Sequence, residues 1–224
     1  MTVDPPKEHS LTHDFEADMR ALRELLMAMA GRCRAQLHLA LDAFWTGSKE
    51  KMADVEMADR AIDRDEKSAD ALVLRILALR QPVARDLRML TASFRLVMDL
   101  ERIGDEAVDL ARGTPSSAPD GEPAYQHLKE MTARTEKLLD SAIDAFFKGD
   151  TDAAVDARRV CDTIAQLYAD IVRETIAFTA RYPNDVVSAI GNLNVAKCLE
   201  RVATHAANIA QATLFVAGCG DMPR

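Results

Sequence analysis

ALDAFWTG, residues 40–47, returns as AIDAFFKG at residues 142–149. Five of the eight positions are identical, and Leu41/Ile143 and Trp45/Phe147 are conservative exchanges. A second match, LERIGDEAVDLA (100–111) against LERVATHAANIA (199–210), follows at nearly the same offset. Repetition at this spacing marks a duplicated structural unit. Leading into the first copy, Met19, Leu22, Leu25, Leu26, Met29, Cys33, Leu37 and Leu41 form one apolar stripe at helical spacing. No segment alternates convincingly at period two, so the unit is helical and no sheet is expected.

Breaks in the pattern divide the chain into six helices. Gly47 ends the first, and Ser48 is a natural N-cap for the second; Gly149 and Asp150 repeat that arrangement. Gln81-Pro82 and Tyr182-Pro183-Asn184 are the breaks within each copy. The second and third helices are placed at 48–78 and 83–112, the remaining three at 124–148, 150–181 and 185–217. GTPSSAPDGEP (113–123) is the one stretch rich in Pro, Gly and Ser, and reads as the linker between copies. Helices of about 30 residues span roughly 45 Å and, joined by short turns, pack antiparallel. The expected fold is all-α, with two tandem three-helix up-down-up bundles. Residues 1–112 form the first repeat, 113–123 the linker, 124–217 the second repeat and 218–224 a tail.

Composition narrows the function. The formal charge is −8 with no Lys/Arg block, which argues against nucleic-acid binding and against a polybasic membrane anchor. No apolar run approaches the roughly 18 residues that span a bilayer. Asp4, Glu8, Asp14 and Glu16 precede any apolar stretch, so no secretory signal is expected. Cys33, Cys161, Cys198 and Cys219 are scattered, as reduced thiols of a cytoplasmic protein would be. No nucleophile–base pair, Gly-rich phosphate loop or P-loop occurs, so no enzymatic activity is expected.

The carboxylates carry the functional signal. Asp59, Asp63, Glu66 and Asp70 fall at i, i+4, i+7 and i+11, which lines one helix face with acids. Glu101, Asp105 and Asp109 fall at i, i+4 and i+8 on the third helix, with Asp99 nearby. Like charges at i, i+4 destabilise a helix by about 0.2–0.5 kcal/mol per pair. A solvated face, partly balanced by Arg60, Arg64, Lys67 and Arg102, is one reading. A site for a hard cation or iron is the other, because all-oxygen ligation suits such metals.

The repeat discriminates. An offset of 102 for the first two helices sets Cys161 opposite Asp59, Ala165 opposite Asp63 and Tyr168 opposite Glu66. An offset of 99 for the third helices keeps Glu101/Glu200 and Arg102/Arg201, and sets Cys198 opposite Asp99 and Thr204 opposite Asp105. The second half thus keeps Glu200 and loses its partners, as a lapsed site would. Cys161, Cys198, Glu200 and His205 could form a softer, zinc-type replacement. His9, His13, His38 and His127 have no companion ligands at helical spacing and read as surface or boundary residues. Arg80, Gln81, Asp86 and Arg88 read as closing the turn between the second and third helices or as a partner contact.

ILALRQPVARDLR (76–88), DLERIGDEAVDLA (99–111) and the weaker LERVATHAANIA (199–210) make the chain resemble the PhoU family of phosphate-signalling regulators along essentially its whole length. The resemblance implies a pair of three-helix bundles whose repeated acidic motifs hold metal ions, iron clusters in some members. It also implies a cytoplasmic negative regulator of the phosphate-starvation response. Its implied partners are a membrane phosphate ABC transporter, through the ATPase subunit, and a phosphate-responsive sensor histidine kinase. Membrane association would then be through partners alone, and a homodimer is the expected assembly. Asp59-x-x-x-Asp63 and Glu101-x-x-x-Asp105 match the family's acidic pairs, and Glu66 a further acid. The implied metal site is therefore Asp59, Asp63, Glu66, Glu101 and Asp105, with iron, manganese, magnesium and zinc all open. A di-iron carboxylate enzyme is the alternative, but its usual E-x-x-H pairs are missing from the sequence.

Overall fold

The computed structural model describes residues 8–113 and 123–222. Residues 114–122 of the expected linker and 223–224 of the expected tail lie outside the described residues. Six long helices form: α1 (Glu8–Thr46), α2 (Lys49–Arg80), α3 (Ala84–Ala111), α4 (Pro123–Lys148), α5 (Thr151–Arg181) and α6 (Val186–Ala217). No strand occurs among the described residues.

The local chemistry at the ends explains the boundaries. Gly47 and Gly149 take the left-handed φ values of 64° and 70° that close α1 and α4. The Ser48 hydroxyl then accepts the Lys51 N–H at 3.3 Å, and the Asp150 carboxylate accepts the Ala153 N–H at 3.0 Å. Both expected N-caps are therefore in place. The second helix runs two residues beyond the expected Ala78, because Gln81 can adopt φ 47° as its C-cap and delay the break to Pro82. Three residues separate α2 from α3, whereas Tyr182 alone separates α5 from the short 3₁₀ turn Pro183–Asp185 that leads into α6. The connection is two residues shorter and α5 ends one residue earlier than α2, which together change the offset from 102 to 99.

Each half is a three-helix bundle, and α3 and α6 form the centre of the molecule. Leu96, Leu100 and Ile103 of α3 and Val195, Leu199 and Val202 of α6 are all buried. The halves meet through α3 against α6 and α1 against α4, while α2 and α5 pack only within their own halves among the described elements.

The side-chain pairs across this junction reveal its symmetry. Arg34 Nε lies 3.2 Å from Asp140, and His38 Nδ1 lies 3.1 Å from Glu136. Under the repeat offset, residues 34 and 140 exchange with 136 and 38, so one pair is the image of the other. Across α3 and α6, Asp99 meets His205 at 2.9 Å, and its image is the contact of Cys198 with Glu106. Reciprocal contacts of this kind define a two-fold relation, here an approximate one within a single chain.

Two glycines test this account of the helices with opposite signs. A Cβ at Gly31, in mid-α1, meets nothing within 4 Å, and one at Gly149 meets equally open space but on a left-handed backbone. Gly31→Ala should raise unfolding stability by about 0.5–1 kcal/mol, and Gly149→Ala should lower it by about 1 kcal/mol. Urea titrations of the two variants check both, and a stabilising Gly149→Ala would contradict the assigned cap.

Candidate functional site

Long antiparallel contact between α2 and α3 brings the predicted acids together. Burial raises the Asp59 carboxyl above its ordinary value against a hydrogen bond from Gln36, and the charges of Asp63 and Asp105 raise it further. Burial likewise raises Glu101; Asp105, Glu66 and Asp63 add to it, and Arg102 opposes them. All five residues expected to hold a metal therefore lie within one another's electrostatic reach.

Two residues that the spacing argument passed over complete the place. Gln36 of α1 is 1% exposed, and its Nε2 donates to Asp59 at 3.0 Å. Its Oε1 is buried with no hydrogen-bond partner. Gly104 lies beside them: a Cβ there would stand 3.1 Å from both Asp59 Oδ1 and Gln36 Oε1. The missing side chain is what lets α3 approach α2 this closely. A glycine five residues before Asp109 and one before Asp105 was visible in the sequence, but its neighbours on α1 and α2 were not.

Counter-charge at the cluster is sparse. Arg102 lies 3.5 Å from Glu101 and 3.4 Å from Asp105. Arg112 pairs with Glu56 at 2.8 Å and with Asp109 at 3.6 Å. Arg60, Arg64 and Lys67 are exposed and make no ion pair among the described residues. The expected balance of a solvated face is thus carried by Arg102 almost alone.

Asp99 does not belong to this group. It is 3% exposed and turns the other way, to His205 and to Asn208 Nδ2 at 3.2 Å. The donor set that remains is all oxygen, with an orphaned amide oxygen beside it, and so fits a hard cation. The carboxylates are gathered but not closed: among the described residues, no three Asp, Glu, His or Cys side chains stand in a ligating arrangement.

The second half shows how the same place looks without that chemistry. Cys161 contacts Thr204, the image of the Asp59–Asp105 approach, and feels the charge of Glu200. Leu138 and Ala203 stand where Gln36 and Gly104 stand in the first half, and both are buried. Lys197 Nζ lies 2.7 Å from Glu200 and 5.1 Å above the ring of Tyr168, the counterpart of Glu66. The chain itself supplies the cation there.

The four residues of the softer zinc-type reading are dispersed over separate contacts. His205 serves Asp99, and Glu200 serves Lys197. Cys198 faces Glu106, and burial with that carboxylate pushes its thiol up to about 12. A thiol so held stays protonated and is a poor zinc ligand. His38 and His127 lie at helix junctions, bonded to Glu136 at 3.1 Å and Glu174 at 2.9 Å. The side chains of His9 and His13 lie outside the described residues. Arg80 does not close the α2–α3 turn but reaches back to Asp18 of α1 at 3.1 Å.

The raised carboxyls have a pH signature. In the folded chain Asp59 and Glu101 hold protons above the ordinary values of 3.8 and 4.5, at which the unfolded chain releases them. Stability therefore falls as pH rises through the folded values, and the penalty is complete above them. In chelator, Asp59→Asn and Glu101→Gln should each be more stable than the parent at neutral pH, with the gap closing below about pH 4. Urea unfolding across pH measures this; a gap that persists in acid would show that charge is not its cause.

The comparisons with known proteins agree along the chain. The PhoU domain profile matches residues 26–114 and again 128–213. The phosphate-specific transport system accessory protein PhoU homolog of Pseudomonas aeruginosa is 30% identical over 210 residues, 93% of this chain and 87% of that protein. The PhoU of Escherichia coli, also titled a phosphate-specific transport system accessory protein, is 28% identical over 202 residues, 90% and 84% of the two chains. The crystal structure of PhoU from Pseudomonas aeruginosa superposes with a TM-score of 0.85 at 30% identity, covering 91% of this chain and 99% of that one. A PhoU structure from Streptococcus pneumoniae gives 0.83 at 22% identity, covering 94% and 99%, and so shares the fold. With both repeats matched and the all-α two-bundle architecture in common, this chain belongs to the PhoU family.

Proposed function

We propose that the chain is an accessory protein of a phosphate-specific transport system and a negative regulator of phosphate-starvation signalling. The observation that carries the reading is family membership over both repeats, together with relatives titled as accessory proteins of that system. In this reading the protein is an adaptor between the ATPase subunit of a phosphate transporter and a phosphate-responsive sensor kinase. It works by binding rather than catalysis. Exposed apolar side chains support protein contact: Leu79, Val83 and Leu87 near one inter-helix turn, Tyr182, Val187 and Ile190 near the other. No helix among the described residues is long and apolar enough to cross a membrane.

A hard cation bound by Asp59, Asp63, Glu66, Glu101 and Asp105 would complete the first half. Its charge would offset the repulsion that raises Asp59 and Glu101, and so tie α2 to α3. Arg102 is the residue whose pairing with Glu101 and Asp105 competes with it. The role is structural or modulatory, as Lys197 serves Glu200 in the second half. No observation favours the di-iron enzyme, since His205 is committed to Asp99.

Two measurements test this. Deleting the gene should make phosphate-starvation genes constitutive, and normal repression in the deletion strain would refute the regulatory role. Asp63→Ala with Asp105→Ala should abolish stoichiometric metal in the purified protein while helicity persists; undiminished metal by elemental analysis would refute the site.

A further inference from the structure

The repeat also isolates a cluster of opposite charge. Where the start of α3 and the end of α6 meet α1 and α4, a pocket of about 620 Å³ is lined by Arg23, Arg85, Arg88 and Lys148. Met89 and the Phe146–Phe147 pair form its apolar wall. These four cations come from three helices and both halves, in a chain whose formal charge is −8. No Asp or Glu is among the described lining residues.

Lys148 has a carboxylate partner within the chain, and the three guanidiniums have none among the described residues. Arg23 Nη2 donates to the Phe147 carbonyl at 2.7 Å, and its guanidinium lies 5.8 Å from the centre of that ring. Lys148 pairs with Asp144 at 2.7 Å. Arg85 and Arg88 have no carboxylate partner among the described residues. A Cβ at Gly218 would come within 2.8 Å of Arg88 Nη1, so this guanidinium lies at the C-terminal end of α6. Arg85 is in the first turn of α3, where the helix dipole favours anions and opposes a cation. Arg85 alone is adversely placed, since a helix C-terminus favours a cation such as Arg88; both guanidiniums are exposed and open to an external anion.

The approximate two-fold supplies a control within the chain. The counterparts of Arg23, Arg85, Arg88 and Lys148 are Tyr125, Asn184, Val187 and Thr46. Not one is charged. The positive pocket therefore belongs to one of two equivalent places and is not a by-product of the repeated fold.

From this we infer that the pocket binds a multiply charged phosphate compound bearing an apolar part. Guanidinium forks match phosphate oxygens bidentately, and a lone carboxylate would neutralise a single one of the three guanidiniums. The volume is in the range of sites for whole small molecules and far exceeds a bare anion. An apolar cleft of about 300 Å³, lined by Met19, Leu22 and Leu26, shares Arg23, Met89, Phe146 and Phe147 with it. Charge at one end and an apolar recess at the other select a phosphate ester. A bound ligand would bridge α1 and α3 of the first half to α4 and α6 of the second. The acidic cluster lies about 20 Å away along α3, taking 1.5 Å per residue from Arg88 to Glu101, so the two sites are tested separately.

Calorimetric titration of the full chain with ATP, pyrophosphate and inorganic phosphate tests this. It is run in about 0.1 M salt with chelator present, so that the acidic cluster plays no part. ATP should bind more tightly than pyrophosphate, and inorganic phosphate least. Arg85→Ala with Arg88→Ala should weaken ATP by at least about tenfold, while Lys137→Ala, outside the pocket, should leave it unchanged. Both arginines are exposed, and thermal melts confirm that the variants fold. Absence of binding by all three anions at about 1 mM would overturn the inference, as would a double variant that binds like the parent. Equal affinity for ATP and inorganic phosphate would overturn the apolar part. Sedimentation with phosphatidylglycerol vesicles through the same arginines, without ATP binding, would overturn it in favour of a lipid headgroup.

Discussion

Asp99 places a carboxylate, 3% exposed, at the centre of the α3–α6 contact. Such a group is tolerable only with partners, and His205 and Asn208 from α6 provide them. The requirement fixes which residues of the two central helices lie opposite one another. Once α3 is set against α6, α2 must lie on the outer flank of α3, and the acids of both helices face each other. The start of α3 is carried to the end of α6, and there Arg85 and Arg88 meet α1 and α4. Both charged places of the molecule thus follow from the alignment of one helix pair.

The junction between halves is symmetric in position and asymmetric in charge. Along the outer pair, α1 contributes Arg34 and His38, and α4 contributes Asp140, Asp144 and Glu136. Pairing α1 with another α1 would set Arg34 against His38 and forfeit every one of these bonds. The two repeats are therefore complementary rather than interchangeable, and the charge pattern disfavours the wrong pairing as well as supporting the right one. Arg102 and Arg201 show the same divergence. Arg201 reaches across to Glu106 at 3.1 Å, but the equivalent partner of Arg102 is His205, which offers no negative charge. Arg102 turns instead to Glu101 and Asp105.

The helices were legible because their signals are local. Apolar stripes, the Gly-Ser and Gly-Asp junctions and the prolines mark elements within a few residues of where they form. The convergence of Asp59, Asp63, Glu66, Glu101 and Asp105 was legible too, since helical spacing fixes which acids share a face and the up-down turn fixes which faces meet. The direction taken by Asp99, noted only as lying near them, was not legible because it depends on α6, more than a hundred residues distant. Gln36 and Gly104 were missed for the same reason: one is significant only as a neighbour of α2, the other only through the side chain it lacks. Lys197 carried no signal until Glu200 and Tyr168 were seen around it.

These differences explain why a duplicated unit keeps two unlike halves. A cation close by relieves the repulsion among neighbouring carboxylates, and the two halves differ in whether the chain supplies one. In the second, Lys197 is covalently present, so Glu200 is satisfied in every state of the protein. In the first, Arg102 pairs with Glu101 and Asp105 at 3.5 and 3.4 Å and leaves Asp59, Asp63 and Glu66 without an ion pair among the described residues. The first half therefore lacks the built-in cation that the second half carries.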